Sequence, residues 1–315
     1  MTTKPRMTPA DRSRRTSPVG SLSVFLGRVH ANVAPQRSPF NRVSLLDCHG
    51  HTEVGRRRKD NEDDFLIAAL PMGQDFLLNQ EPSRKSLNPL PGQTGFLFLV
   101  ADGIGGIPCG ERASALAVRS FYGYVEKRSR FLRTTREEIV RTLMRGITQC
   151  QSDLHAEVER FPECHGMGTT FTGVLSLSKH LYVVHSGDSR CYLLRGSRFD
   201  LVTDDHSRAQ LESDAGTMDR DAARTLTGGN ALWKCLTSET VTARPDIMSL
   251  PLEAGSILLL CTDGVSDALS EEEIKHHLSA QESAKSICMS LIARARPGGG
   301  GDDLTAIVAR FGGSA

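Results

Sequence analysis

Aromatic residues and paired cysteines are scarce in this chain of 315 residues. Only 5% of its residues are aromatic, and there is a single tryptophan. The eight cysteines include no C-x-x-C pair, and no H-E-x-x-H pattern is present. Their scatter gives no support to a zinc knuckle or a disulfide framework. We therefore expect reduced thiols and a cytoplasmic protein.

Long hydrophobic runs are also absent. The longest apolar runs, residues 96–101 and 257–261, are far shorter than the roughly 20 residues that a membrane-spanning helix needs. The hydrophobic fraction of 39% and the charged fraction of 24% are typical of a globular protein. The sequence thus predicts a soluble protein without a membrane partner.

Acidic residues are nearly missing from the N-terminal segment. Residues 1–46 contain eight lysines and arginines but one acid, Asp11, whereas the whole chain has a net charge of +1. This segment is also rich in Ser, Thr and Pro, which predicts a disordered basic tail over residues 1–43. A solvated tail is the favoured interpretation; a contact arm for an acidic partner and an organelle transit peptide are the alternatives.

Apolar periodicity and turn residues predict strands first, then a helix pair, more strands and a second helix pair. Capping boxes at Thr135-x-x-Glu138 and Ser270-x-x-Glu273 mark two helix starts. A Pro- and Gly-rich insertion occupies residues 71–95, and residues 203–240 form an irregular flap. The predicted strands are 44–54, 64–70, 96–101, 169–177, 181–185, 190–195, 241–249, 256–261 and 304–311, and the predicted helices are 111–127, 136–160, one from 270, and 284–296.

This order of elements is typical of an α+β fold. Two antiparallel sheets packed on each other, with a helix pair outside each sheet, would form a four-layer α-β-β-α sandwich. The corresponding domain is predicted over residues 44–312.

Five aspartates lie at predicted strand ends or turns. If they met in one cleft, their charges would repel one another unless a cation were present. Oxygen ligands suit Mg or Mn, and two such ions can support phosphoryl chemistry. The run Arg56 to Arg58 offers a cationic group for a phosphate. Sequence spacing alone does not show that these aspartates converge. The five are Asp63, Asp102, Asp188, Asp263 and Asp302.

Five motifs follow one another along the chain. The motifs are Gly55-x-x-Arg58-x-x-Asn61-Glu62-Asp63, Val100-Ala-Asp102-Gly-Ile-Gly-Gly106, Gly166-Met-Gly-Thr-Thr170 with Ser186-Gly-Asp188-Ser-Arg190, Cys261-Thr-Asp263-Gly264, and Gly300-Gly-Asp302-Asp303-Leu-Thr305. In this order they resemble the motifs of the bacterial-type metal-dependent (PPM, type 2C) Ser/Thr protein phosphatases. The resemblance covers about residues 45–311, and the ordered set is more specific than any one motif.

The resemblance implies a set of metal ligands. Asp102 would bridge two Mg or Mn ions, with the Gly103 carbonyl on the first ion. Asp263 and Asp302 would bind the second ion. Asp188, together with Asp263, would bind a third and weaker ion.

The resemblance also implies the catalytic roles. Glu62 and Asp63 would hold metal-bound waters, Arg58 would bind the substrate phosphate, and metal-bound hydroxide held at Asp102 would attack phosphorus directly, without a phosphoenzyme. The implied activity is hydrolysis of phosphoserine and phosphothreonine in proteins.

Two residues depart from the family pattern. Ile104 stands where many eukaryotic members have a histidine proposed as the acid for the leaving group, so a metal-bound water would have to donate that proton. Asp303 replaces the usual asparagine, and we expect it to alter a hydrogen bond beside the ligands rather than a ligand. Trp233 and Cys235 are expected in the core, and His165 and His206 are expected to be incidental.

The implied partners are phosphorylated proteins, with a cognate Ser/Thr kinase or its substrates among them, and we expect a monomer. One alternative is a catalytically silent module of the same fold that binds a phosphoprotein or a kinase as a regulator. Another is a nucleic-acid-associated phosphatase, whose salt-sensitive binding would require residues 1–43; nucleic acid is the less favoured partner.

Overall fold

Two antiparallel sheets lie face to face in this structure, a computed structural model. It describes residues 43–70, 76–78, 95–104, 109–128, 135–177, 179–219, 222–223, 228, 230–239, 244–298 and 301–313. The elements below belong to one compact unit. The predicted tail lies outside the described residues except for its last residue, and so does most of the 71–95 insertion.

The first sheet has six strands in the order β11-β7-β6-β4-β2-β3, and all pairs are antiparallel. A separate two-stranded ladder joins β5 to β10. The strands are β2 (Asp63–Leu70), β3 (Phe76–Leu78), β4 (Gly95–Asp102), β5 (Gly168–Thr169), β6 (Phe171–Leu177), β7 (His180–Ser186), β10 (Leu236–Thr237) and β11 (Asp246–Pro251).

The second sheet has five strands in the order β1-β13-β12-β8-β9, again antiparallel. A β-bulge interrupts the register of its edge strand between Leu45 and Asp47. The strands are β1 (Val43–Glu53), β8 (Arg190–Arg195), β9 (Arg198–Leu201), β12 (Ile257–Cys261) and β13 (Leu304–Gly313).

Helices cover the outer face of each sheet. The apolar faces of α1 and α2 pack on the first sheet, and those of α5 and α6 pack on the second. Ser270 begins α5 with both bonds of a capping box, and Thr135 caps α2 by accepting from the Glu138 amide. The helices are α1 (Gly110–Glu126), α2 (Arg136–Arg160), α3 (Arg208–Asp214), α4 (Asp263–Ser266), α5 (Glu271–Leu278) and α6 (Ala284–Gly298), with a 3-10 turn at Pro162–Cys164.

The continuous apolar run of β4 is explained by burial on both faces. Alternate side chains of a strand point to opposite faces. Leu97, Leu99 and Ala101 therefore join the cluster under α1 and α2. Phe96, Phe98 and Val100 join the cluster between the sheets. Each buried leucine stabilises the fold by about 1.5–3 kcal/mol.

The predicted four-layer α-β-β-α sandwich is confirmed. The structure begins and ends α2 at the predicted residues and divides the predicted strand 169–177 into β5 and β6. It adds β9, whose short charged sequence Arg198–Leu201 carried no strand signal. The predicted irregular flap contains α3 and β10 within its described part.

Candidate metal centre

The five predicted aspartates lie at one end of the sandwich. Asp63 begins β2 and Asp102 ends β4, and because these strands are antiparallel the two residues are direct register partners. Both carboxylates thus stand at the same edge of the first sheet, where the continuous apolar strand gives way to glycines.

The second sheet contributes acids to the same edge. Asp263 follows the end of β12 at the start of α4, and Asp302 lies two residues before β13. Because β12 and β13 are antiparallel, the end of one lies beside the start of the other. Asp188 lies in the turn from β7 to β8, where Gly187 has a φ of 123° that strongly favours glycine.

Asp63 joins the two sheets. Its Oδ2 accepts hydrogen bonds from the hydroxyls of Thr262, at 2.8 Å, and Thr305, at 2.6 Å. Its Oδ1 is buried and has no hydrogen-bond partner among the described residues. Sequence reasoning assigned no role to these threonines, although both stand inside the quoted motifs and supplied a usable signal.

Asp102 is held through its backbone. Its amide donates to Thr170 Oγ1 at 3.0 Å, and its carbonyl accepts from the Thr170 amide at 2.8 Å and from Thr169 Oγ1 at 2.8 Å. The backbone of Asp102, rather than its carboxylate, therefore fixes this residue at the end of β4. No individual role was predicted for Thr169 or Thr170, although both lie in the motif Gly166-Met-Gly-Thr-Thr170.

Charge crowding marks the same edge. Burial raises the pKa of Asp63 well above its usual range, although the hydrogen bonds from Thr305 and Thr262 act in the opposite direction. Burial also raises the pKa of Asp102, and the charges of four neighbouring carboxylates raise it further: Asp63, Asp263, Asp188 and Asp302. Asp102 is thus within electrostatic reach of the other four aspartates.

Gly103 packs against the first residue of α1. Its amide donates to the Glu62 carbonyl at 3.0 Å, and it forms a β-bridge with Thr169. A Cβ at this position would lie 2.3 Å from the carbonyl carbon of Gly110. The backbone can approach this closely only because the residue is glycine.

Arg58 lies between two acids of the site. Its guanidinium binds Glu62 through Nη1 and binds Asp302 Oδ1 through Nε, at 3.0 Å, and Nη2, at 2.7 Å. Its side chain is 27% exposed. Burial raises the pKa of Glu62, while the charge of Arg58 acts to lower it. A partly exposed guanidinium at an acidic edge can bind an oxyanion in a bidentate manner.

Asp303 closes the loop that carries Arg58. Its Oδ1 accepts from the Gly55 amide at 2.7 Å, and its Oδ2 accepts from the Glu62 amide at 2.8 Å. An asparagine has one carbonyl oxygen and could reproduce one of these bonds in the same geometry. The expectation that this residue changes a hydrogen bond agrees with these contacts.

The donors fit a hard divalent cation by their chemistry. They are carboxylates and a backbone carbonyl, the ligands that Mg and Mn prefer, and Asp63 offers a buried oxygen that accepts no hydrogen bond from the described residues. Within the part of the chain that the structure describes, no three Asp, Glu, His or Cys side chains lie close enough together to form a group that could hold a metal ion. The acids thus share one edge, and Arg58 engages two of them.

His206, expected to be incidental, belongs to a buried hydrogen-bonded cluster. It is 3% exposed, and its Nδ1 accepts from the Gly187 amide at 3.0 Å, beside Asp188. Its Nε2 lies 2.9 Å from Asp246 Oδ2. Because β7 and β11 bring these residues together, no local sequence signal predicted the cluster. Trp233, expected in the core, is 53% exposed.

A second correction concerns the cysteines. Cys109 and Cys164 form a disulfide across 55 residues of sequence. The expectation of reduced thiols is therefore wrong for this pair, because α1 and α2 return the chain to its starting edge and spacing along the sequence does not report that proximity.

Among the described residues, no helix combines the length and apolar character that crossing a membrane requires.

Comparison with known proteins agrees with this geometry. The family model described as protein phosphatase 2C matches residues 89–294. The serine/threonine protein phosphatase PstP of Mycobacterium tuberculosis is 33% identical over 213 residues, which cover 68% of this chain and 40% of that protein. The serine/threonine phosphatase stp of Listeria welshimeri is 28% identical over 67% of this chain and 83% of its own length.

The likeness extends to three dimensions. A crystal structure of the catalytic domain of PstP in complex with two manganese ions superposes with a TM-score of 0.67 at 26% identity, covering 87% of this chain and 100% of that one. This chain spans only about two fifths of the full PstP protein. Because the family model matches well over half of the residues and the matched segment contains three of the five edge aspartates, the chain belongs to the protein phosphatase 2C family.

Proposed function

We propose that this chain is a protein serine/threonine phosphatase that uses Mg or Mn to hydrolyse phosphoserine and phosphothreonine in proteins. The observation that carries the proposal is the convergence of carboxylates from both sheets at one edge, with Arg58 among them. The names of the related proteins support the same activity.

The metal ligands in this proposal are the residues at the strand ends. Asp102 and the Gly103 carbonyl would hold one ion, Asp102 would share a second ion with Asp263 and Asp302, and Asp188 would contribute to a third. When bound, the ions supply Lewis acidity at phosphorus, an activated water and compensation for the developing negative charge.

Arg58 binds the phosphate of the substrate. Its planar guanidinium presents paired N–H donors that match two phosphate oxygens. Its contacts with Glu62 and Asp302 hold it at the edge before substrate arrives. Glu62 and Asp63 accept hydrogen bonds from water, and the fixed Oδ2 of Asp63 leaves its Oδ1 for that purpose.

The leaving-group proton does not come from residue 104. Ile104 has no ionisable group, and its amide donates to the Gly168 carbonyl at 3.0 Å. A water at the acidic edge is the proposed donor. This assignment predicts that placing a histidine at this position would change the acid limb of the pH profile of kcat.

The wider proposal follows from this activity. The catalytic domain spans residues 44–312, with the flap 203–240 beside the bound phosphoprotein and the tail 1–43 outside the domain. The partners are phosphorylated proteins, including a cognate Ser/Thr kinase or its substrates, and the enzyme is a cytoplasmic monomer.

The activity can be tested on p-nitrophenyl phosphate and on a phosphothreonine peptide in the presence of Mn. Asp102→Asn and Asp263→Asn should each lower kcat by roughly a hundredfold or more, because each removes a charged ligand. Glu272→Gln is a matched control, since this exposed carboxylate lies on α5. Full metal-dependent activity in both aspartate variants would contradict the proposal.

Calorimetry with Mn on the wild-type protein distinguishes the proposed enzyme from a catalytically silent regulator. A catalytic member should bind Mn in calorimetry and should lose binding in Asp102→Asn. A chain that binds a phosphoprotein but neither binds Mn nor hydrolyses phosphate would be the regulator instead.

A further inference from the structure

The Cys109–Cys164 disulfide is set apart from the other cysteines. Its Cα atoms are 5.5 Å apart, and the six remaining cysteines are free thiols. Four of those six are buried, and burial raises the pKa of Cys261 to about 12, which disfavours the reactive thiolate. Thiol chemistry in this fold is therefore concentrated at the disulfide.

The disulfide joins two segments that are already paired beside the metal centre. The Asp102 amide and carbonyl both bond to Thr170, and the Ile104 amide donates to the Gly168 carbonyl at 3.0 Å. Cys109 follows the first of these segments, and Cys164 precedes the second. The covalent bond thus links the two chain segments that position Asp102 and Gly103.

Cys109 also lies at the start of α1. It is the residue before Gly110 and has a φ of 64°, the left-handed region that is uncommon for a non-glycine residue. Gly110 is in turn pressed against Gly103, within 2.3 Å of where a Cβ would stand. A backbone change at Cys109 would therefore act on Gly110 and, through this contact, on Gly103.

The two cysteines of the pair differ in exposure. Cys109 is half-buried, whereas Cys164 is 1% exposed. A thiolate from solvent can reach Cys109 more readily, which makes Cys164 the leaving group. This asymmetry suits thiol–disulfide exchange with an external dithiol.

We propose that Cys109 and Cys164 form a redox modification site, with a dithiol reductant as its substrate, and that the disulfide raises the affinity of the neighbouring edge for divalent cation. One thiolate of the dithiol attacks Cys109 Sγ, the Cys109–Cys164 bond breaks, and Cys164 leaves as a thiolate that takes a proton. The second thiol of the dithiol then displaces Cys109, which is also protonated. Two electrons and two protons pass to the protein, and the dithiol becomes a cyclic disulfide.

Reduction removes one of the two constraints on the Asp102–Gly103 turn. The backbone pairing with Gly168 to Thr170 remains, but Cys109 is no longer tied to its partner and can leave the left-handed conformation. The cost of ordering the turn must then be met when a cation binds, which lowers the affinity. The metal part of this inference rests on the proposed function; the conformational part does not.

The test uses the full chain purified without reductant and the same protein reduced with dithiothreitol and then desalted under argon. Thiol titration in denaturant should find six thiols before reduction and all eight after it. Calorimetry with Mn should give a Kd about fivefold or more higher for the reduced form. Amide exchange at Asp102, Gly103 and Ile104 should be faster in the reduced form, with or without Mn.

Variants separate the pair from the other thiols. Cys109→Ser and Cys164→Ser should bind Mn as the reduced protein does and should not respond to dithiothreitol. Cys48→Ser, a half-buried free thiol on β1, should keep the wild-type response. Eight thiols before reduction, or equal exchange rates in the two forms, would overturn the proposal. If exchange accelerates but neither form binds Mn, the proposed function fails and the link to metal affinity fails with it.

Discussion

Gly264 lies where the segment that carries Asp263 touches the segment that carries Asp302. A Cβ at Gly264 would lie 2.0 Å from the carbonyl oxygen of Asp303, and real Cβ contacts essentially never fall below 3.0 Å. The neighbour is backbone, so no side chain can rotate away. In Gly264→Ala the two segments must therefore separate by about 1 Å, a displacement that costs on the order of 100-fold in rate at a reaction centre.

The same clash should lower stability. Overpacking of a buried position costs about 2 kcal/mol, which corresponds to a fall in Tm of about 4–8 °C for a domain of this size. The assay pairs thermal unfolding with kcat on p-nitrophenyl phosphate in the presence of Mn. We expect a folded protein at 25 °C with a kcat roughly 100-fold below the wild-type value.

Gly123 provides the matched control. It lies inside α1, and a Cβ there meets nothing within 4 Å. Gly123→Ala should keep full activity and raise stability by about 0.5–1 kcal/mol, because alanine loses less backbone freedom on forming a helix. Wild-type kcat in Gly264→Ala would refute the argument that this contact sets the spacing of the two acids.

Two further predictions concern buried charged and titratable side chains. Arg190 and Asp205 form a bidentate ion pair with side chains 2% and 0% exposed, so Asp205→Asn should lower the free energy of unfolding, measured in urea, by about 3–5 kcal/mol. The control Asp200→Asn, at the more exposed pair with Arg195 and Arg198, should lower it by less than about 1 kcal/mol. Equal losses would contradict the role of burial. Burial, with the charge of His206 adding to it, lowers the pKa of His185 to about 3. Below about pH 6.5 the unfolded chain therefore binds a proton at this residue that the folded chain does not bind. As the pH falls from 6.5 to 3, the free energy of unfolding should fall by up to about 1.4 kcal/mol per pH unit from this residue alone. His185→Gln should flatten the profile over that range, the exposed control His180→Gln should not, and parallel profiles for all three proteins would show that His185 is not held neutral.

The sequence was a sufficient guide where the local signals agreed with one another. Helix α2 begins and ends at the predicted residues because a capping threonine, helical apolar spacing and the Pro162 that follows its end all mark its limits. The apolar run at residues 96–101 was predicted as a strand, and the structure explains its lack of alternation by burial on both faces of β4. Weakly patterned elements such as β9, with two charged residues in four, gave no comparable signal.

The sequence by itself determined the layer architecture and the order of the motifs, because apolar periodicity and turn chemistry act over a few neighbouring residues. Only the tertiary structure decided that Asp63 and Asp102 are register partners, that Thr305 of β13 and Thr262, the residue after β12, bind Asp63, and that Asp303 closes the Arg58 loop. It also decided that Cys109 meets Cys164 and that Trp233 is exposed. These contacts join residues tens to hundreds of positions apart, and their distances are set by how the two sheets and their helices pack.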